Sequence, residues 1–373
     1  MKRNPPHPLP NLDRPAPDDD VDTFGMPPRL SRRDFLKFSA LSAVPLLVPP
    51  SRSRGALDFG SRLPDFPRAP LPAPFGRLTQ WWRQPVRQGP STGEGVVRWT
   101  TRDDVIPLYE AVQGDPPWPT NPVWYRTEGG YIHSGYVQPV RDEQQPAVTQ
   151  IAEPGLWVQV TRPWAEARAT PASAYVAHRL YYGTTYRAIA AVTDEEGQVW
   201  YQLKEGVSPW RPGPYALGSS FRVVTPEELT PISPGHPDKL LKIDRGAQTL
   251  SCLEGDSVVF HTRVSTGNPN TPTPLGEFRV LYKRHARRMT VTDIPSPYDL
   301  PGVAFPTYFT WSGVAIHGTY WHNDYGRVHS SGCINVTAED AQWIFRWVEP
   351  VAPYEVYTQR AEPAITGTRV LVV

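Results

Sequence analysis

AIHGTYWHNDYGRVHSSGCINV, residues 315–336, begins with a His-Gly pair and ends with a Ser-Ser-Gly-Cys run, so that sixteen positions separate His317 from Cys333. The chain has only one other cysteine, Cys252. A thiol is a weak nucleophile until a base or a positive neighbour draws off its proton, and an imidazole is the usual device. His317 is therefore the candidate base and Cys333 the candidate nucleophile. The small residues Ser331 and Gly332 let the chain turn tightly before the cysteine. Backbone amides around Ser331, Gly332 and Cys333 could then converge on the oxyanion that forms when a carbonyl is attacked.

Upstream, VSTGNPNTPTPLGEF at residues 264–278 carries a Ser-Thr-Gly turn (Ser265, Thr266, Gly267) and a Thr-Pro-x-Gly-x-Phe segment (Thr273, Pro274, Gly276, Phe278). Together with the His-Gly and Ser-Ser-Gly-Cys elements, this region resembles the L,D-transpeptidase catalytic domain, the YkuD family, over about Asp238 to Val373. The resemblance implies that Cys333 is the nucleophile, His317 its general base, and Gly318 the residue whose carbonyl orients the imidazole. It also implies a substrate, the peptidoglycan stem peptide. Cys333 would attack the carbonyl before a terminal D-alanine, release that D-alanine and pass the acyl group from a thioester to an amine of a second stem, with no metal or organic cofactor. Carbapenem-type inhibitors are expected to acylate the same thiol. One residue departs from the family pattern: the histidine usual before Gly-Cys is replaced by Ser331, while His329 stands two positions earlier. The expectation is an active but slow enzyme.

Several duller readings compete. His317, His322 and His329 fall close together, but a structural zinc site usually adds a close cysteine pair, which this sequence lacks. A papain-like protease places its cysteine before its histidine, the reverse of the order here. A wall-binding protein with a degenerate catalytic region remains the alternative from another class, and an L,D-carboxypeptidase using water as acceptor the alternative within the family. Tyr308, Trp311 and Tyr320 are expected to line a groove for the extended stem, since Tyr and Trp combine apolar area with a polar tip. Arg327 and Asn335 are candidates to anchor the loop or a substrate carboxylate.

The rest of the chain suits a β-rich exported protein. Its 45 prolines among 373 residues argue for short strands and loops, and its net charge of +1 offers no basic footprint for nucleic acid. Ser31-Arg32-Arg33-Asp34-Phe35-Leu36-Lys37 followed by FSALSAVPLLV resembles a twin-arginine export signal, with an apolar run too short to span a bilayer comfortably. An extracytoplasmic location follows as an expectation, with the membrane touched only through the signal or an uncleaved anchor. Met26 would give that signal an n-region of ordinary length. Residues 1–50 are assigned to the signal region and 51–80 to a Pro-rich linker. Residues 81–145 and 150–232 are read as two diverged SH3-like small β-barrels, each holding a Val-Trp-Tyr strand at 123–125 or 199–201 beside a Gly turn. The Asp194-Glu195-Glu196-Gly197 turn predicts a hairpin.

Residues 237–373 are the catalytic domain, expected as a β-sandwich with one helix after the cysteine loop. Thr337 would cap that helix, and Ala341, Ile344, Phe345 and Val348 would form its apolar face. Glu254-Gly255-Asp256 predicts another hairpin, Cys252 reads as a small buried hydrophobe, and GTRVLVV reads as a last strand.

Overall fold

The computed structural model describes residues 68–204, 213–291 and 298–373. The signal region, Met26 and residues 51–67 of the expected linker lie outside the described residues. The remainder is mainly β, and among the described residues there is one α-helix, Ala338–Trp347.

The first β module starts earlier than the sequence suggests. Arg68–Ala69 pairs with Glu110–Gln113, and Phe75–Leu78 pairs with both Val105–Pro107 and Val137–Val140. Residues 68–69 and 75–78 of the expected linker are therefore strands. Phe75–Leu78 reads as linker because Pro and Gly surround it, yet Leu78 belongs to the buried core with Val86, Leu108, Ile132 and Val137. A six-stranded and a three-stranded sheet enclose that core.

The second module is one seven-stranded sheet. Its Thr185–Thr193 and Val199–Lys204 strands form the expected hairpin. The reason is local: Asp194 Oδ1 accepts the amides of Glu196 at 3.1 Å and Gln198 at 2.8 Å, and its Oδ2 accepts Trp200 Nε1 at 2.7 Å. Gly197 supplies the positive φ of 79°. In both modules the Trp-Tyr pair is buried, and a single 3₁₀ turn (Ser134–Tyr136, Gly218–Ser220) leads into the last strand.

The third region packs two five-stranded sheets around one core. In the first sheet Lys239–Asp244 pairs with Thr249–Glu254, which turns through Gly255 into Ser257–Arg263. The final strand, Arg369–Val372, inserts between Lys239–Asp244, to which it is parallel, and the edge strand Gly276–Arg279, to which it is antiparallel. Cys252 is fully buried here, and burial pushes its thiol far above the ordinary range.

The helix forms where Thr337 can start it, the Thr337 hydroxyl accepting the Asp340 amide at 3.1 Å. Ala341, Ile344 and Phe345 face the core. Its other end is closed by two buried lysines: Lys283 Nζ donates to the carbonyls of Phe345 and Val348, and Lys239 Nζ to that of Trp347. Cations satisfy orphan carbonyls at a helix C-terminus and oppose its dipole. Burial lowers Lys283 to about 7.

The second module and the third region share a core. Trp157, from a strand of the module, is fully buried among Leu241, Ile316, Phe345 and their neighbours. Its indole stacks on His285 at 4.6 Å and donates to the Tyr354 carbonyl at 2.7 Å.

Candidate active site

His317 lies on the strand Ala315–Gly318, and Cys333 immediately precedes the strand Ile334–Val336. These strands run parallel, with Ile316 opposite Ile334 and His317 opposite Asn335. Because side chains alternate along a strand, Ile316 and Ile334 enter the core while His317 and Cys333 share the other face. They stand diagonally, one strand and two positions apart. A chain separation of sixteen residues thus becomes a neighbouring position on one sheet.

The turn before Cys333 is built by the distant Ser-Thr-Gly and Thr-Pro segments. Thr266 O accepts the amides of His329 at 3.0 Å and Ser330 at 3.1 Å, and Asn268 donates to Ser330 O from its backbone and its side chain, both at 2.9 Å. Thr273 Oγ1 accepts the Gly267 amide at 2.9 Å and donates to Gly332 O at 2.8 Å. A Cβ on Gly267 would lie 2.2 Å from Thr271 O and 2.9 Å from the Gly332 Cα, so only glycine allows the two loops to approach this closely. Gly332 adopts φ +121°, a conformation that side-chain-bearing residues rarely take. Its amide donates to Ser330 Oγ at 3.0 Å, while the Ser330 hydroxyl donates to the Cys333 carbonyl. Ser331 is exposed at the tip of the turn.

His317 is buried, and its Nδ1 lies 3.1 Å from Gly318 O. That carbonyl can only accept, so Nδ1 carries the proton and Nε2 is the bare nitrogen. Burial depresses the imidazole to about 4 against a weaker opposing effect of the Gly318 carbonyl. Burial also raises the Cys333 thiol to about 11, partly offset by the Ala315 amide. Cys333 packs against Met289, Val303, Tyr308 and Ala315, with Tyr298, Leu300 and Trp321 alongside. Met289, Val303, Tyr298 and Leu300 belong to the antiparallel strand pair Ala286–Val291 and Tyr298–Ala304, which the sequence reading did not connect with the site. The uneven spacing of apolar residues in this segment carried no usable signal.

The expected groove residues divide. Tyr308 is 3% exposed and stacks on Tyr282 at 4.3 Å, whereas Trp311 is 57% exposed with its ring 6.3 Å from that of Tyr282. Tyr308 presents no open wall; it sits in the apolar cluster beside Cys333. Tyr320 does not line a groove either. It is buried between modules, stacked on Tyr181 at 5.0 Å, because the loop after Gly318 runs directly beneath both N-terminal modules.

Asn335 is buried and is spent on His322, its amide group 2.9 Å from Nε2. His322 Nδ1 accepts the Asp324 amide at 3.2 Å, which leaves the proton on Nε2 and the Asn335 side-chain oxygen as its natural acceptor. Arg327 pairs with buried Asp324 at 3.0 Å and lies over Trp118 of the first module at 4.1 Å. Asp324 also holds His329 Nε2 at 2.8 Å, and His329 stacks on His322 at 4.4 Å. His329 is thus directed to Asp324 and to the His322 ring. The sequence reading missed Asp324, whose role depends on the loop's fold.

The model of the YkuD family, the L,D-transpeptidase catalytic domain, matches residues 238–372. L,D-transpeptidase 1 of Mycobacterium tuberculosis is 32% identical over 117 residues, covering 30% of this chain and 47% of the relative. The chain therefore aligns with about half the length of that curated relative. Among solved structures, the crystal structure of a mutant L,D-transpeptidase from Enterococcus faecium is 28% identical with a TM-score of 0.30, covering 36% of this chain and 50% of that one. The NMR structure of the catalytic domain from the same species acylated by ertapenem is 29% identical with a TM-score of 0.29, covering 36% and 97%. Residues 238–372, the region that holds His317 and Cys333, are a domain of the YkuD family, the L,D-transpeptidase catalytic domain.

Proposed function

We propose that this chain is an exported cysteine acyltransferase that cross-links peptidoglycan stem peptides. The observation that carries the reading is the placement of His317 and Cys333 on one face of adjacent parallel strands, with Nδ1 turned to the Gly318 carbonyl. Nε2 then takes the thiol proton as Sγ bonds to the carbonyl carbon preceding the terminal D-alanine. The tetrahedral oxyanion is held by amides at the Ser331–Cys333 turn; the Gly332 amide, already donating to Ser330 Oγ, is available only if that bond is given up. Collapse of the intermediate expels the D-alanine amine, which takes the proton from the imidazolium, and leaves the thioester. A second stem's amine attacks that thioester, His317 again removing a proton, and the thiol is restored with a 3→3 cross-link formed. Export by the twin-arginine route and wall-facing roles for two SH3-like modules complete the reading.

The test is mass spectrometry of products from purified tetrapeptide muropeptides incubated with the full chain, Cys333→Ala and Cys252→Ala. Cross-linked dimers and free D-alanine are expected from the wild type and Cys252→Ala, and neither from Cys333→Ala. Release of D-alanine with tripeptide alone would identify water as the acceptor. No product from any protein would favour a wall-binding role without catalysis.

A further inference from the structure

The loop that carries the chain away from His317 is held by a residue of the first module. Arg77 is 1% exposed, and every nitrogen of its guanidinium is engaged. Nε and Nη2 donate to Gln138 Oε1 at 3.1 and 2.7 Å, Nη1 pairs with Asp103 at 2.9 Å, and Nη2 also donates to the backbone carbonyl of Tyr320. The guanidinium lies over the Tyr181 ring of the second module at 4.3 Å. Tyr181 stacks on Tyr320 at 5.0 Å, Tyr320 meets Trp321 edge to face at 5.0 Å, and Trp321 lies 5.7 Å from the His317 ring. Trp321 is also packed into the cluster that includes Cys333. An unbroken series of contacts therefore joins the first module to the base of the proposed reaction.

We propose that Arg77 is a positioning residue for acyl transfer. By fixing the Tyr320 carbonyl, it sets where Trp321 lies against His317 and the Cys333 cluster. The inference rests on the assignment of His317 and Cys333 above. A fork of directed donors is needed, since one group must satisfy Gln138, Asp103 and Tyr320 at once; a lysine ammonium cannot reproduce that plane. Asp103 separates this role from simple cohesion of the modules. Its other oxygen binds Arg179 of the second module at 2.6 Å, an ion pair between the same modules. Among the described residues, Arg179 makes no hydrogen bond, ion pair or ring contact with Tyr320.

The experiment follows acylation of the full-length chain by ertapenem, using intact mass under single-turnover conditions, and separates the saturating rate from the half-saturating concentration. Arg77→Met should lower the saturating rate about tenfold to a hundredfold, as expected when a group near the chemistry is slightly misplaced, with a smaller effect on half-saturation. Arg77→Lys should recover only part of it. Arg179→Met, which weakens the same module contact, should acylate at the wild-type rate. A wild-type rate in Arg77→Met, or an equal loss in Arg179→Met, overturns the proposal. If Arg77→Met does not fold, Gln138→Leu removes the acceptor that orients Nε and Nη2 and so loosens the hold on the Tyr320 carbonyl; it should slow the saturating rate, and an unchanged rate overturns the proposal. Absence of an adduct on the wild type would instead overturn the assignment of Cys333, and this inference with it.

Discussion

At the scale of single residues, the site rests as two neutral partners. Burial lowers His317 to about 4 and raises Cys333 to about 11, so between those values the thiol keeps its proton and the imidazole is free to accept it. In the reaction proposed above, proton transfer would accompany attack, because a resting thiolate–imidazolium pair would require both shifts to be reversed. Acylation should be level through neutral pH and fall as His317 becomes protonated near pH 4. A limb centred on the ordinary imidazole value of 6.5 would show that His317 works in a solvated state. The exposed Ser331 and the Asp324-bound His329 give a second expectation. If the family's histidine strengthens the oxyanion site, Ser331→His should raise the acylation rate without changing the product; one oxyanion donor is worth about 2–4 kcal/mol. His329→Ala should reduce stability more than rate. Near abolition of acylation by His329→Ala would instead make His329 the functional substitute.

At the scale of elements, the turn before Cys333 is shaped from outside itself. Thr273 Oγ1 bridges the Gly267 amide and the Gly332 carbonyl, so Thr273→Val keeps the shape of the side chain but leaves both groups unpaired in a buried setting. The expected cost is about 1–3 kcal/mol for each buried group left unsatisfied, with slower acylation because the Gly332 turn is released. Denaturant unfolding and acylation kinetics measure the two effects separately. Loss of stability with no change in rate would show that the turn holds its geometry unaided.

At the scale of the whole molecule, the second module and the catalytic domain should unfold together, since Trp157 belongs to the catalytic core. Trp157→Ala should destabilise by about 3–5 kcal/mol, the usual cost of emptying a buried aromatic site. A calorimetric trace that separates into two transitions in this variant, where the wild type gives one for these units, would demonstrate the coupling. Acid should also weaken the fold. Burial holds His285 at about 3 and His322 well below its ordinary value, so the unfolded chain binds protons that the folded chain refuses. Their contribution is complete above the ordinary value of 6.5 and is lost progressively as pH falls through the folded values. Unfolding midpoints should therefore decline below that pH, and His285→Phe should flatten the decline.

The sequence by itself determined the features that depend on local chemistry. The Asp194 turn, the Thr337 cap and the helix face were legible because a side chain a few residues away completes each one. The candidate pair His317 and Cys333 stood out because the chain has only two cysteines and both residues are flanked by glycine. Tertiary structure decided what required groups from distant segments to meet. Phe75–Leu78 became strand only by pairing with Val105–Pro107 and Val137–Val140, against its Pro- and Gly-rich surroundings. Tyr320 became an interface residue and Asn335 a partner of His322 because the loop between His317 and Cys333 folds beneath the N-terminal modules. Residue type states what a side chain can bind. Which partner it finds depends on packing between segments that periodicity and spacing do not record.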